Sequence, residues 1–245
     1  MHVIRLQTVD STNSWISKNE EELKAPVMVS CHTQYSGRGQ RGNSWESAPG
    51  MNITASVLFK PQNFPASLQF HISEAIALAM VDLLNFYGIK AKIKWPNDIY
   101  VGDRKISGIL VENMVVGKDI IRTIIGIGLN VNQVEFLSSA PNPVSMKIIT
   151  GQSYDIEDME LKFADFIEKF LFKLENPSVL HDEFMKHLWR FDSNPHPFYD
   201  KNKKESISAY IENVREDGLL TLRLGDGSTR EYAFKEVEFI IGNMK

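Results

Sequence analysis

The chain has 245 residues, 43% of them hydrophobic, which is enough to bury the core of one medium domain with or without a small appended domain. Its net charge of −4 argues against a surface built mainly to bind polyanions. One cysteine cannot form an intramolecular disulfide, no secretory leader opens the chain, and no uninterrupted apolar run reaches the ~18 residues needed to cross a membrane. We therefore expect a cytoplasmic protein without a membrane anchor.

Strands and helices alternate in the first half of the chain. Asp10-Ser11-Thr12-Asn13 is typical of a helix start, and this helix is expected to run to Leu23. A second helix is predicted from the apolar spacing between Ser67 and Gly88. Short apolar or alternating runs predict the strands 3–9, 27–32, 52–59, 91–95, 105–116 and 120–127.

The second half of the chain changes character near residue 192. Helices are predicted over 163–174 and 180–189, and a polar stretch with Pro195 and Pro197 follows, which neither a helix nor a central strand tolerates. Beyond it, glycine turns separate four short alternating strands, as in a small β-barrel: 206–214, 219–224, 229–234 and 238–241. This pattern predicts a first domain over 1–192 and a second over 193–245.

A segment with three glycines and two arginines in six residues joins two of the predicted strands. Glycine lets the backbone approach a ligand closely and expose successive N–H groups, while Arg38 and Arg41 add positive charge, so the segment suits an anion. It lacks the closing Lys-Ser/Thr of a P-loop, and it joins strands rather than opening a helix as the dinucleotide fingerprint does. Taken alone, it is equally typical of a mobile surface loop or of an RNA-contacting segment.

Three further blocks place polar groups and glycines where strands begin or end. They are Lys94-Trp95-Pro96-Asn97-Asp98, Lys105-Ile106-Ser107-Gly108 and Gly126-Ile127-Gly128-Leu129-Asn130. The two glycines of the last block would admit a flat ring, which Asn130 could hydrogen-bond. Each block alone also has an ordinary structural explanation as a turn, a bulge or a strand end. The six histidines show no zinc-ligand spacing with cysteine, so a metal site of that kind is not expected.

Taken in order, these motifs resemble the biotin protein ligases over roughly the first 130 residues. The motifs are Asp10-Ser-Thr-Asn, Gln34 with the GRGxRG loop, Trp45-Glu-Ser, KWPND, RKxxGILVE and GxGxN. The resemblance implies an α/β (α+β) catalytic domain with helices packed on a mixed sheet, as in biotin and lipoate ligases, followed by an SH3-like barrel. It also implies activation of biotin with ATP to biotinyl-5'-AMP, release of pyrophosphate, and transfer of biotin to a lysine of a biotin carboxyl carrier domain.

The same resemblance assigns roles to individual residues. The positions matching those that hold biotin are Ser11, Thr12, Asn13, Gln34, Gly37, Arg38, Lys105 and Gly108. The positions matching those around ATP and the adenylate are Arg41, Trp45, Lys94, Asn97 and Asn130. The positions matching the catalytic residues are Lys105, Arg38 and Asp98, and Asp98 is also a candidate ligand for Mg²⁺. Lys105 is expected to bridge the biotin carboxylate and the α-phosphate, because an ammonium offsets the repulsion between two anions.

Two residues depart from the family pattern, since Gln40 and Asn43 stand where many members have arginine. We expect a weaker electrostatic hold on the triphosphate and the adenylate. Only nine residues precede Asp10 in this sequence, so we expect no DNA-binding helix-turn-helix there and no DNA partner. The lack of a long apolar run argues against a membrane partner, and the assembly is left open between a monomer and a homodimer. The competing functions are a lipoate or octanoate ligase of the same fold and a non-enzymatic nucleotide- or RNA-binding module.

Overall fold

The structure is a computed structural model that describes residues 1–40, 43–137 and 142–242. Its strands form two sheets, one of eight strands and one of five. The larger sheet and the helices come from the first part of the chain, and the smaller sheet is built from residues 196–239. The predicted combination of a mixed α/β domain with a second all-β unit is confirmed.

The larger sheet carries the glycine motifs on its central strands. Its strands are β1 (His2–Val9), β2 (Val27–Gln34), β3 (Ile53–Phe59), β4 (Phe64–Pro65), β5 (Lys92–Lys94), β6 (Asp98–Val101), β7 (Arg104–Val116) and β8 (Asp119–Leu129). The order is β1-β2-β3-β8-β7-β6-β5, with the short β4 paired to the start of β8. The sheet is mixed because β1 and β2 run parallel while the other neighbours run antiparallel.

Among the described residues, five α-helices accompany the larger sheet: α1 (Thr12–Asn19), α2 (Gln69–Phe86), α3 (Met146–Thr150), α4 (Ile156–Phe172) and α5 (Pro177–His187). Apolar residues occupy almost every turn of α2, so this helix is the centre of the core and packs against both α4 and α5. The segment Ala66–Phe86 is long and apolar enough to span a membrane by length and composition, but 72% of its apolar 18-residue window is buried inside the protein, as in a core helix.

Several predicted boundaries differ from those in the structure. The first helix ends at Asn19 rather than Leu23 because the Asn19 side chain caps it, donating to the Trp15 carbonyl at 2.7 Å, and a run of glutamates follows, which a helix C-terminus disfavours. Ser11 stands at the N-cap, but its side chain makes no capping hydrogen bond. The sequence prediction also missed β6, because its four residues directly follow a Pro-Asn turn signal.

The smaller sheet is antiparallel throughout and is consistent with an SH3-like barrel. Its order is β12-β11-β10-β9-β13. The strands are β9 (His196–Asp200), β10 (Glu205–Val214), β11 (Leu220–Leu224), β12 (Thr229–Tyr232) and β13 (Val237–Phe239). The expectation that Pro197 could not lie in an inner strand was wrong. It lies in β9 opposite Ser208, where its carbonyl accepts from Ile240 at 3.1 Å and its missing N–H falls near the strand end.

Turns of the smaller sheet pack against the Lys94-to-Asp98 motif of the larger sheet. The Trp95 indole N–H donates to the carbonyl of Gly218 at 2.9 Å. The ring of Phe234 lies 5.3 Å from the ring of Trp95 and 6.1 Å from that of Phe70 on α2. Because Trp95 is buried, the motif is fixed between the two sheets, and its polar residues are held at the edge of the cavity described next.

Candidate functional site

A cavity of about 630 Å³ opens where α1, the glycine loop and the central strands β7 and β8 meet. Most of the predicted site residues line it: Ser11, Thr12, Asn13, Gln34, Arg38, Trp45, Lys94, Asn97, Asp98, Lys105, Gly108 and Asn130. Gln40 and Asn43 line it too. Gly37 lies beside the cavity, tightly packed, because a Cβ there would stand 2.5 Å from the Trp45 carbonyl oxygen and 2.7 Å from Nε2 of Gln34. Arg41 lies outside the described residues.

A continuous chain of polar side chains crosses the floor of the cavity. Oγ1 of Thr12 lies 2.6 Å from Oγ of Ser56 on β3, and the Ser56 hydroxyl makes a short hydrogen bond to Oδ1 of Asn13. Nδ2 of Asn13 donates to Oε2 of Glu112 on β7 at 2.6 Å. Thr12, Asn13 and Ser56 are buried. This series of hydrogen bonds therefore fixes the N-terminus of α1 against the sheet and holds each hydroxyl in one orientation.

The direction of donation along this chain determines what Thr12 can offer a ligand. The amide oxygen of Asn13 can only accept, so the single proton of Ser56 must go to it. Thr12 consequently donates its own proton to Ser56, and its hydroxyl oxygen is left with lone pairs. Thr12 is thus a hydrogen-bond acceptor toward the cavity.

Beside Thr12, Gln34 offers a hydrogen-bond donor to the cavity. Its Oε1 accepts from the backbone N–H of Thr12 at 3.0 Å, which identifies the other terminal atom as the NH₂ group. Among the described residues, the Gln34 NH₂ group has no hydrogen-bond partner and can donate to a ligand. The polar end of the cavity therefore pairs an acceptor on Thr12 with a donor on Gln34.

Arg38 is the one arginine of the loop whose position is described, and it is paired inside the site. Its guanidinium donates to Oε2 of Glu112 at 2.9 Å, the oxygen that also accepts from Asn13. The two side chains are 45% and 39% exposed, so the ion pair contributes little to stability and can exchange partners. Glu112 thus connects the glycine loop to the polar chain on the floor.

Two lysines converge on one carboxylate at the other end of the cavity, because Asp98 pairs with Gly108 while Asn13 lies at Gly126, further along the sheet. Nζ of Lys105 lies 2.6 Å from Oδ1 of Asp98, and Nζ of Lys94 lies 3.8 Å from Oδ2 of the same residue. Burial lowers the pKa of Lys94, and its ammonium also lies 5.3 Å from the Tyr100 ring and 4.9 Å from that of Phe239. Two cations and one anion leave this end of the cavity positive, which suits an anionic substrate.

The indole of Trp45 occupies the space left open by two glycines. A Cβ on Gly128 would lie 2.2 Å from Cε2 of the indole, and one on Gly108 would lie 3.2 Å from Cζ3. The flat ring at Gly128 of β8 is therefore this side chain, whereas a Cβ on Gly126 would lie 2.6 Å from Oδ1 of Asn13. The ring also faces Lys105, whose Nζ lies 5.7 Å from its centroid. Its Nε1 is buried and has no partner among the described residues.

The two predicted asparagines are used partly to hold the backbone. Nδ2 of Asn97 donates to the carbonyl of Ile109 at 2.5 Å, and Nδ2 of Asn130 donates to the carbonyl of Val144 at 3.0 Å. These bonds tie the Lys94-to-Asp98 turn to β7 and the end of β8 to the segment before α3. Since the NH₂ groups are engaged in this way, the amide oxygens can serve as acceptors toward a ligand.

Three residues of the site were missed as candidates by sequence reasoning. Ser56 gave no local signal, because it lies within an apolar strand and acquires its role only when α1 packs beside it. Glu112 is the last residue of the RKxxGILVE motif, but the motif does not indicate which residues Glu112 contacts. Lys235 reaches the cavity from the smaller sheet, more than a hundred residues from the other described cations.

A separate polar cluster lies outside the cavity, between α2 and α5. Nδ1 of His71 and Nδ1 of His181 each lie 2.7 Å from one oxygen of Glu74, and the three ligand-type atoms are within 4.8 Å of one another. Sequence spacing had given no reason to group them. The hydrogen bond to Glu74 raises the pKa of His181. Both histidine contacts are accounted for by hydrogen bonds to the carboxylate, which bridges the two helices.

Known proteins share much of the sequence of this chain. Residues 3–130 match the model of the biotin/lipoate A/B protein ligase family. The chain is 36% identical over 126 residues to the bifunctional ligase/repressor BirA of Escherichia coli (strain K12), an alignment that covers 51% of this chain and 39% of that protein. It is 30% identical over 230 residues to biotin--protein ligase 2 of Arabidopsis thaliana, which covers 89% of this chain and 68% of that protein.

A solved structure shares the fold over nearly the whole chain. The biotin protein ligase from Aquifex aeolicus, in complex with biotin and ATP, superposes with a TM-score of 0.80 at 24% identity and covers 98% of this chain and 99% of that one. The family match covers more than half of the chain, and it contains the glycine loop, both lysines and the glycines of β8. The chain therefore belongs to the biotin/lipoate A/B protein ligase family.

Proposed function

We propose that this protein is a biotin protein ligase that makes biotinyl-5'-AMP from biotin and ATP and passes the biotin to a lysine of a carrier domain. The observation that carries the proposal is the composition of the cavity, with a neutral donor–acceptor pair at one end and a cluster of cations at the other. Biotin has a ureido ring at one end and a carboxylate at the other. Its two ends therefore match the two ends of the cavity.

The neutral end favours biotin over lipoate. A ureido group carries N–H donors beside a carbonyl acceptor, and the cavity presents an acceptor on Thr12 and a donor on Gln34. The dithiolane ring of lipoate and the methyl end of octanoate satisfy neither group. Leaving polar groups without partners in a closed site costs ~1–3 kcal/mol each, which is enough to discriminate between these acids.

The charged end supports formation of an acyl-adenylate. An oxygen of the biotin carboxylate attacks the α-phosphorus of ATP, a P–O bond forms, and the bond to pyrophosphate breaks. A carboxylic acid is already ionised near neutral pH, so this step requires no general base. The difficulty is the approach of two anions, and Lys105 provides an ammonium where they would meet, with Arg38 beside the loop and Lys94 on the far side of Asp98.

Magnesium is the metal that this chemistry implies, and Asp98 is the residue that would hold it. Mg²⁺ in nucleotide sites is bound by one or two carboxylates, the phosphates and water. The Asp98 carboxylate has about four lone-pair sites, and its two lysine contacts leave some of them available, so the residue fits as one ligand. When bound, the ion supplies positive charge that stabilises the departing pyrophosphate.

In the second step the neutral amine of an acceptor lysine attacks the acyl carbon, the amide bond forms, the bond from that carbon to the phosphate oxygen breaks so that AMP leaves, and the amine's surplus proton passes to solvent. The expected acceptor is the carrier domain of a biotin-dependent carboxylase, and we place the reaction in the cytoplasm. Trp45, Asn97 and Asn130 are the proposed contacts of the adenine ring and the ribose. The two asparagines can accept hydrogen bonds there, and the indole offers a flat surface.

Biotin-dependent exchange of labelled pyrophosphate into ATP tests the first step. We expect exchange with biotin and none with lipoate or octanoate at the same concentration. Exchange with lipoate and not with biotin would assign the protein to the lipoate branch of the family. ATP or RNA binding without exchange on any of these acids would favour the non-enzymatic alternative. The second step is tested by mass spectrometry of a biotin carboxyl carrier domain, which should gain one biotin.

A further inference from the structure

The cluster between α2 and α5 contains three side chains of the types that bind transition metals. His71 and Glu74 are three residues apart on α2, so they lie on the same face of that helix, and His181 reaches them from α5. In the part of the chain that the structure describes, this is the one group of three such side chains whose ligand atoms are close enough to share an ion. The cluster lies outside the cavity, and none of its residues takes part in the proposed reaction.

The charge of Glu74 is not balanced by a lysine or an arginine. Its side chain is fully buried, and among the described residues its ion-pair partners are the two histidines alone. A buried carboxylate is costly unless a positive charge compensates it. A histidine supplies that charge only when it is protonated, whereas a bound divalent cation supplies it permanently.

Hydrogen bonding leaves the cluster incompletely satisfied. Each imidazole uses Nδ1 to contact a different oxygen of Glu74. Nε2 of His71 is buried and has no partner among the residues that are described. Buried polar atoms are normally paired, so a cluster that keeps an unpaired one needs a further source of stabilisation. A metal–nitrogen bond at Nδ1 is such a source, because it is stronger than the hydrogen bond that it replaces.

The distances and the ligand types suit zinc. Zinc binds imidazole nitrogen and carboxylate oxygen at ~2.0–2.2 Å in a tetrahedron, which places neighbouring ligand atoms roughly 3.3–3.6 Å apart. The three atoms of the cluster lie within 4.8 Å of one another, and both nitrogen-to-oxygen distances are 2.7 Å. Opening the two short contacts by less than about 1 Å would therefore admit the ion. Two imidazoles with one carboxylate favour zinc over Mg²⁺ or Ca²⁺, which prefer oxygen ligands alone.

Solvent and negative charge both reach the site on the His181 side. The side chain of His181 is 14% exposed, whereas those of His71 and Glu74 are fully buried. The pKa of His181 is raised first by its hydrogen bond to Glu74 and further by the charges of Glu74, Glu216 and Asp182. The same negative charges attract a cation that enters from this side, and water can fill the fourth coordination position.

We propose that His71, Glu74 and His181 bind a zinc ion that cross-links α2 and α5. The inference does not rest on the proposed function, because the site is separate from the cavity.

The cross-link lies beside an aromatic contact between the same two helices. Phe70 is next to His71 in the chain, and its ring lies 5.6 Å from that of Phe184 on α5. Phe70 also contacts Phe234, which packs on Trp95 of the Lys94-to-Asp98 motif. The ion therefore stabilises the helix pair that supports this motif.

Zinc binding is measured by calorimetric titration of ZnCl₂ into protein freed of metal, with excess Mg²⁺ present to occupy sites made of carboxylates alone. We expect one zinc per chain. Mutating residues that only orient metal ligands costs ~10–100-fold in affinity, so loss of a direct ligand in His71→Gln, Glu74→Gln or His181→Gln should weaken binding by ~100-fold or more. His196→Gln is the matched control, because His196 also contacts a carboxylate, that of Asp192 at 3.0 Å, but belongs to no such three-residue group among the described residues.

Two further measurements keep the test decisive if a buried variant does not fold. His181→Gln changes the least buried ligand, and thermal unfolding in EDTA shows whether it is folded without zinc. Zinc should raise the Tm of the wild type and of His196→Gln and leave that of His181→Gln unchanged, because only a folded state that binds the ion is stabilised. X-ray absorption at the zinc edge of the wild type should show imidazole nitrogen and oxygen at ~2.0–2.2 Å.

Three results would overturn the inference. A folded wild-type protein that binds no zinc would show that hydrogen bonds alone hold Glu74. Equal zinc affinity in the wild type and in folded His181→Gln, or a first coordination shell without imidazole, would place the ion elsewhere. Absence of biotin-dependent exchange in the wild type would remove the proposed function and leave the zinc site standing.

Discussion

Replacing Gly128 by alanine should displace the Trp45 indole and thereby distort the site. The new Cβ would lie 2.2, 2.5 and 2.6 Å from three atoms of the indole, whereas carbon atoms in ordinary contact are ~3.5 Å apart, so the ring must retreat by about 1 Å. The strand cannot move instead, because Gly128 is paired on both sides, with Thr54 on β3 and with Gly108 on β7.

The displacement of the ring should reach the glycine loop. The backbone N–H of Trp45 donates to the Gly37 carbonyl at 3.0 Å, so moving Trp45 pulls on the segment that carries Arg38. Misplacing catalytic groups by about 1 Å can reduce rates by ~10²-fold. We expect kcat/KM for biotin-dependent exchange to fall by at least tenfold. The free energy of unfolding should change by less than about 1 kcal/mol, since the core around α2 is not touched.

The assay combines exchange kinetics with tryptophan emission, in which Trp45 is one of four tryptophans. Gly108→Ala is the graded comparison, because its Cβ would meet the indole at 3.2 Å and should have a smaller effect. Gly225→Ala, where nothing lies within 4 Å, is the neutral control. A Gly128→Ala protein with wild-type kinetics and an unchanged emission spectrum would show that the indole does not rest on this glycine.

Three other substitutions test separate parts of the structure. Lys105→Ala should reduce adenylation by ~10²-fold or more with little loss of Tm, and wild-type turnover would remove this lysine from the mechanism. The double variant Gln40→Arg, Asn43→Arg should slow dissociation of biotinyl-5'-AMP, whereas equal dissociation rates would mean that other groups close the site. His181→Gln should lower Tm more at about pH 6 than at about pH 8.5. The reason is that Glu74 raises the pKa of His181, so the stabilisation from the charged histidine is present below its ordinary pKa of 6.5 and is lost as pH rises through the folded-state pKa. A Tm difference that does not depend on pH would contradict this.

Much of the fold follows from local patterns in the sequence. The apolar spacing that ends at Gly88 predicts α2 because a core helix carries a strong repeating signal, and Gly88 takes the expected positive φ of 74°. Alternation similarly predicts the strands of the barrel. The structure departs from the predictions where a tertiary contact overrides a local preference, as at Pro197, which β10 and the segment after β13 hold in a strand.

The functional site, like the fold, could be predicted from the sequence only in part. Residues within the motifs could be named because each motif is local, and twelve of them line one cavity. The partners of these residues could not be named, since Ser56 and Glu112 acquire their roles only when α1, β3 and β7 come together. The use of Asn97 and Asn130 to hold the backbone is equally invisible in the sequence, because a turn-forming asparagine has the same local pattern whether or not it meets a ligand.

The pairing of the cations explains how the site can receive the two anions of the proposed reaction. Breaking the half-exposed pair between Arg38 and Glu112 costs little, so Arg38 can leave Glu112 when a carboxylate arrives. Lys105 is less exposed, but an ammonium has three N–H donors and Asp98 uses only one of them. Lys105 can therefore keep Asp98 and still donate to both the carboxylate and the α-phosphate. On this view Asp98 aims the ammonium before the substrates bind, which removes a reorganisation step from the reaction.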